Sequence, residues 1–225
     1  LPICKVLAAL TGKPLPDDAE LAVHQPQKTE QSLAALFSNN RALSTLMFFQ
    51  AFFMCLLMVY GLGSWLPKLM TMAGYGFGSS LMFLLFLNIG GIIGAIGGGW
   101  LSDRFHPRPV LMLFFTLAAV SLALLGFKSH VAVLYFLVTV AGATTIGSQI
   151  LLYAYVAQFY PTAIRSTALG WSSGVGRIGA ILGPVLGGAL LAMQLSHQMN
   201  FLAFVVPGAL AVIAIMLTAG RKEAV

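Results

Sequence analysis

Residues 147–184 read GSQILLYAYVAQFYPTAIRSTALGWSSGVGRIGAILGP. An apolar run with no formal charge stops at QFYPTAIRS (158–166), where Pro161 and Arg165 mark a turn. A second run follows, rich in Gly and Ala, with a single charge at Arg177. The two windows this defines, 131–155 and 167–193, are each long enough to cross a bilayer as a helix, which takes about 20 mostly apolar residues. Neither alternates polar and apolar residues as a membrane β-strand must. Working outward, four more such windows appear at 43–66, 79–101, 110–127 and 201–219. Short connections separate them: 67–78 with Gly-Tyr-Gly turn chemistry, SDRFHPRP (102–109), KSH (128–130) and QLSHQMN (194–200). The predicted fold class is an all-α membrane protein of six transmembrane helices.

Composition agrees. Of 225 residues, 59% are hydrophobic and 8% charged, and the mean hydropathy is +0.91. A soluble domain carries about 25% charged residues. So few charges cannot cover a water-soluble globule, which excludes a soluble enzyme and a secreted disulfide scaffold. A sequence pI near 9.6 invites a nucleic-acid reading. The basic residues, however, stand singly between apolar runs and form no patch, so nucleic acid is not an expected partner. Their distribution reads as topology. Lys5, Lys13, Lys28, Arg41, Arg104, Arg108, Arg165, Arg221 and Lys222 fall on one side, and only Lys68 and Lys128 on the other. Both termini are therefore expected in the cytoplasm, most simply at a bacterial inner (plasma) membrane with lipid all round. Cys4 and Cys55 are too far apart to pair, and no metal or cofactor is expected.

The first 42 residues differ in kind. Three prolines and most of the acids lie in TGKPLPDDAELAVHQPQKTE (11–30), which reads as a cytoplasmic linker. SLAALF (32–37) reads as a short interfacial helix leading into the bundle at 43–219, and 220–225 as a cytoplasmic tail. A linker entering a bundle with no Met before it points to a second bundle upstream.

Arg177 is the one formal charge inside any predicted span. It lies roughly 18 Å beyond Arg165 along a helix rising about 1.5 Å per residue, near the bilayer midplane. An Arg at that depth costs about 2.5–3.5 kcal/mol unless it faces protein or water and finds a partner. The other spans offer no Asp, Glu or His. Its partner is thus a ligand, a backbone carbonyl or a carboxylate outside this chain. A planar guanidinium suits a carboxylate, which it binds through two parallel hydrogen bonds. Gly170, Ser173, Gly174, Ile181, Pro184 and Gly188 share its helical face. Ser172, Gly176, Gly179, Gly183 and Gly187 form a separate small-residue stripe about 120° round, and Gly90, Gly94 and Gly98 form another in the second span, both with the spacing of close helix contacts. Neutral polar candidates for ligand or interhelical bonding are Gln50 (sharing a face with Met54, Leu57 and Gly61), Asn88, and Gln149 with Tyr153 (sharing a face with Gly142 and Thr145). Tyr153 and Trp171 are candidates for stacking on a flat ring. His106, His130 and His197 read as solvated loop residues.

GGWLSDRFHPR (98–108) resembles the loop signature of the major facilitator superfamily, with His106 and Pro107 where a small residue is usual. The resemblance implies a gating role for Asp103, Arg104 and Arg108, Asp103 capping a helix across the bundle interface. Residues 147–184 resemble the tenth and eleventh helices of the aromatic acid:proton symporters within that superfamily, including YPTxxR (160–165) and the GxGRxG run around Arg177. By position this implies that Arg165 and Arg177 matter for transport, Arg165 in gating and Arg177 at the substrate. A sugar porter would carry a PETKG-like tail where this chain has RKEAV. The resemblance as a whole implies the C-terminal six-helix half of a twelve-helix carrier, importing small aromatic carboxylates such as benzoate together with protons by alternating access. The alternative is a carrier for another organic anion, or an exporter of drugs or metabolites. An intramembrane enzyme would need a Ser–His pair or two acids at membrane depth, and the spans hold neither, so no catalytic residue is expected.

Overall fold

The computed structural model describes residues 33–127 and 129–218. Among them the secondary structure is seven helices and no strand: α1 (Leu33–Phe37), α2 (Ala42–Met72), α3 (Phe77–Phe105), α4 (Pro107–Leu125), α5 (Val131–Phe159), α6 (Thr162–Ala192) and α7 (His197–Leu217). The last six are long and apolar enough to cross a membrane. At about 1.5 Å per residue the 31-residue α2 and α6 reach roughly 46 Å. That exceeds the ~30 Å hydrocarbon core, so their ends project beyond it or the helices tilt.

Helices absorb most of the expected loops. Pro67, expected in the 67–78 loop, lies inside α2. Ending the helix there would strip Leu69 and Met70 of the packing that leaves them 3% and 0% exposed. The backbone position that loses its bond to the proline nitrogen is Gly63, where an added Cβ would meet nothing within 4 Å. The 102–109 connection shrinks to His106 alone, with φ of 69°, between α3 and the prolines that open α4. The 158–166 connection shrinks to Tyr160 and Pro161.

The bundle is organised by two parallel helix pairs, α2 with α6 and α3 with α5. Each pair closes on glycine. A Cβ at Gly90 or Gly94 would strike the carbonyl oxygens of Thr139 and Ala143, and one at Gly179 that of Phe53. At Gly183 it would lie 2.5 Å from the Leu57 carbonyl oxygen. Both predicted glycine stripes are therefore close-packing seams. The seams also match. Gly90 and Gly94 stand to Thr139 and Ala143 as Gly179 and Gly183 stand to Phe53 and Leu57. Gly147 lies under the Phe114 ring as Gly61 lies under the Phe204 ring, with Cβ-to-ring distances of 2.9 and 2.5 Å. Units α2–α4 and α5–α7 are thus two copies of one three-helix plan, each helix pair taking one member from each copy.

At the centre α2 and α5 meet, where the Cys55 thiol lies 3.6 Å from the Thr145 carbonyl. Helices α4 and α7 pack on each other and back α5 and α2. Their outward residues Leu113, Leu124, Leu202, Val206 and Ile213 are apolar and exposed, as a lipid-facing surface requires. At the Arg165 end, Thr45 Oγ1 lies 2.7 Å from the Leu36 carbonyl and 2.7 Å from the Tyr160 hydroxyl. Leu36 and Tyr160 are buried. Helix α1, the described part of the predicted 32–37 helix, therefore packs into the bundle through Leu36. Burial raises the Tyr160 hydroxyl above its ordinary pKa, and the Thr45 hydrogen bond and the Arg41 charge pull it part of the way back.

Candidate functional site

Arg177 stands at the middle of α6, equidistant from Thr162 and Ala192. The glycine seam settles which way it points. Ser172, Gly176, Gly179, Gly183 and Gly187 are buried against α2, so residues a third of a turn round project away from that contact. Arg177, Gly170, Gly174 and Ile181 are exposed, and a Cβ at Gly170 or Gly174 would meet nothing within 4 Å. Only 22% of the most apolar stretch of α6 is buried, against 50% for α2 and for α5. An Arg at this depth cannot face hydrocarbon without a large penalty. The open side of α6 therefore faces water or further protein, unlike the apolar backs of α4 and α7.

Sequence reasoning missed the partner of Arg177 within the chain. Its Nη1 donates to the hydroxyl of Tyr60 on α2, 3.1 Å away. The signal was present, since Tyr60 is the only tyrosine in the first span, but a search limited to acids and His passes over it. The acids among the described residues reduce to Asp103, at the far end of α3. The guanidinium thus keeps donors with no carboxylate to receive them.

The other predicted residues divide. Gln149 and Tyr153 are half-buried on α5, and Gln50 is half-buried on α2. Neither amide has a side-chain hydrogen bond among the described residues. The Tyr153 ring packs edge-on against Phe52, centroids 5.0 Å apart. Gly142 and Thr145, on the same predicted face, serve packing: Gly142 abuts the Leu87 carbonyl, and Thr145 Oγ1 donates to the Ala141 carbonyl at 2.7 Å. On α2, Leu57 and Gly61 are likewise buried, so the face read from Gln50 and Met54 turns into the bundle at its far end. Asn88 is exposed and returns its amide to the Leu84 carbonyl of its own helix at 2.7 Å. In the repeat that relates the two seams, Asn88 falls at the position of Arg177. Trp171 is 47% exposed, on the opposite edge of the open arc of α6 from Arg177. The structure thus joins Arg177 to Tyr60 by a hydrogen bond and Tyr153 to Phe52 by ring packing.

Each predicted gating residue lies at a helix end. Asp103 and Arg104 are exposed in the last turn of α3, Arg104 6.0 Å from the Phe105 ring. Asp103 caps no helix among the described residues. Arg108 donates from Nη2 to the Met216 carbonyl at 2.8 Å, holding the end of α7, where a cation also suits the helix dipole. Nε of Arg108 and Nε of Arg165 are buried without a hydrogen-bond partner among the described residues. His130 accepts the Ala132 amide at the start of α5, so it caps that helix rather than only meeting solvent. Among the described residues no group of His, Cys, Asp and Glu is placed to hold a metal.

The sequence profile of the Major Facilitator Superfamily matches residues 81–224. The chain is similar to a benzoate transport protein of Acinetobacter baylyi, 50% identical over 187 residues, covering 83% of this chain and 40% of that protein. It is similar to a gentisate transporter of Corynebacterium glutamicum, 48% identical over 154 residues, covering 68% and 35%. It is also similar to a 4-hydroxybenzoate transporter of Pseudomonas putida, 36% identical over 185 residues, covering 82% and 41%. The matched region thus spans about two fifths of each of these relatives. With its six membrane-length helices, the chain is an integral membrane protein and half of such a fold in size.

Proposed function

The chain belongs to the Major Facilitator Superfamily, a family of transporters rather than enzymes, and from that premise we propose that it forms one half of a proton-coupled carrier importing small aromatic carboxylates such as benzoate or hydroxybenzoates. One observation carries the proposal: an Arg at the middle of a membrane helix, on its open face, with no carboxylate in reach among the described residues. Such a group needs an anion, and the relatives are named for aromatic acids. In this reading Arg177 takes the carboxylate, while Gln149, Tyr153, Gln50, Asn88 and Trp171 contact the ring or its hydroxyls. The open face of α6, α2, α5 and α3 meets a second six-helix bundle, and alternating access follows from rocking of the two about the midplane. The seams make this half rigid, which rocking requires. Asp103, Arg104, Arg108 and Arg165 latch one state at the helix ends, in the cytoplasm with both termini, at a bacterial inner membrane. Imported protons are carried by groups outside the described residues.

The test is uptake of labelled benzoate and 4-hydroxybenzoate by membrane vesicles containing the full-length protein, under an imposed pH gradient. Saturable, gradient-driven uptake that is lost in Arg177→Ala and Arg177→Lys is the expected result. Native protein that is folded yet takes up neither acid would sink the substrate assignment.

A further inference from the structure

We propose that Tyr60 is a positioning residue for Arg177, turning its guanidinium so that one fixed edge is offered to the substrate's carboxylate; this rests on the reading of Arg177 as the anion site. Three observations carry it. The first is the bond itself, Arg177 Nη1 to Tyr60 Oη at 3.1 Å. With Nη1 occupied, Nε and Nη2 remain, and these form the edge that takes a carboxylate side-on through two parallel hydrogen bonds. The phenol oxygen only accepts from the cation, so the pair neutralises no charge and leaves Arg177 fully able to attract an anion.

The second is the frame beneath the bond. Tyr60 and Arg177 sit on the helices that the Gly179–Phe53 and Gly183–Leu57 contacts clamp together. Trp65 Nε1, on α2, also donates to the Pro184 carbonyl of α6 at 2.7 Å. The two backbones cannot slide past each other, so the tyrosine holds the arginine at a set place. An exposed Arg without such a tether would spread over many rotamers and lose that freedom on binding; fixing it beforehand removes the loss.

The third is the place where the repeats part company. The relation that pairs Gly90 with Gly179 and Thr139 with Phe53 carries Arg177 onto Asn88 and Tyr60 onto Ile146. Ile146 brings no hydroxyl to that position, and Asn88 bonds its own helix. Packing is shared by both copies; the Arg–Tyr pair belongs to one alone. A residue needed only for packing has no reason to bring a hydroxyl to that spot.

The experiment is equilibrium binding of benzoate to the purified full-length carrier, with counterflow at saturating benzoate, for native protein, Tyr60→Phe, Arg177→Lys, Arg177→Ala and the Tyr60→Phe/Arg177→Lys double variant. Tyr60→Phe keeps the ring and removes the hydroxyl. The expected result is binding weakened by about tenfold, the scale of one hydrogen bond to a charged group. Counterflow at saturation is unchanged, and Tyr60→Phe adds no further weakening in the Arg177→Lys background. Native-like binding by Tyr60→Phe, or the same fold-loss in both backgrounds, would overturn the positioning role while leaving Arg177 as the anion site. If Arg177→Lys and Arg177→Ala both bind benzoate as native protein does, the anion-site reading fails and the role of Tyr60 falls with it.

Discussion

Two glycines of α6, Gly174 and Gly183, should respond oppositely to the same substitution. At Gly183 an added Cβ would lie 2.5 Å from the Leu57 carbonyl oxygen and 2.8 Å from the Gly61 nitrogen. Both are backbone atoms, so no side chain can swing aside. Restoring a carbon–heavy-atom contact of roughly 3.5 Å means parting α2 and α6 by about 1 Å. That strains the 2.7 Å Trp65–Pro184 hydrogen bond one residue away and loosens the seam on either side. Overpacking of this kind costs about 1–3 kcal/mol. At Gly174 a Cβ meets nothing within 4 Å, so Gly174→Ala should keep only the gain of replacing glycine in a helix, roughly 0.5–1 kcal/mol. The assay is thermal or denaturant unfolding of the two variants in one detergent, read from helical circular dichroism. The same helix gain accrues at Gly183, so the expected separation is the overpacking cost, about 1–3 kcal/mol, with Gly183→Ala the less stable. Equal stabilities, or Gly174→Ala the weaker protein, would refute the assignment of one glycine to a seam and the other to an open face. Because Gly174 shares that open face with Arg177, its alanine variant should bind benzoate differently despite folding well.

Three further outcomes follow from contacts described above. Trp65→Phe keeps most of the ring against Gly187 but removes the bond to the Pro184 carbonyl, and should cost about 1 kcal/mol in the same unfolding assay. Leu36→Ala should destabilise the bundle by about 2–4 kcal/mol and Leu33→Ala by far less, since Leu36 is fully buried and Leu33 is 38% exposed; equal effects would remove α1 from the core. The folded state raises the pKa of Tyr160 above the ordinary 10.0. Its contribution is therefore intact below the unfolded tyrosine pKa and is lost as pH rises through the folded one. Unfolding followed between pH 8 and roughly 11 should show a shallower alkaline decline in Tyr160→Phe than in native protein.

Much of this was legible in the residues, for reasons that differ by element. The six spans stand out because lipid tolerates little but apolar side chains, so each window carries its own signal. The glycine stripes were visible as spacing, and their meaning depended only on what lay opposite. Pro67 misled because proline is a strong breaker in water, whereas a buried continuation through Leu69 and Met70 outweighs one missing hydrogen bond. The Tyr60–Arg177 pair was hidden because it joins residues far apart in sequence across two parallel helices, a relation no local window contains. Arg177 itself was found because a charge at membrane depth is costly wherever its partner lies. Gln50 and Asn88 were less decipherable: a neutral amide in a helix can bond its own backbone, as Asn88 does, and sequence does not distinguish that from waiting for a ligand.

The interleaving of the two three-helix copies bears on how the chain is made. Helix α2 finds its tightest companion in α6, and α3 finds its own in α5, so neither copy holds its own best contacts. At about 5–20 residues synthesised per second, roughly 5–20 s separate the emergence of α2 from that of α6. Through that interval the carbonyl edge that will receive Gly179 and Gly183 lies against lipid or the insertion machinery. The earlier helices must therefore wait in the membrane loosely held and lock when α6 arrives. A defect in the α6 glycines would then first be felt in the cell as slow assembly and clearance by proteolysis, before any defect in transport.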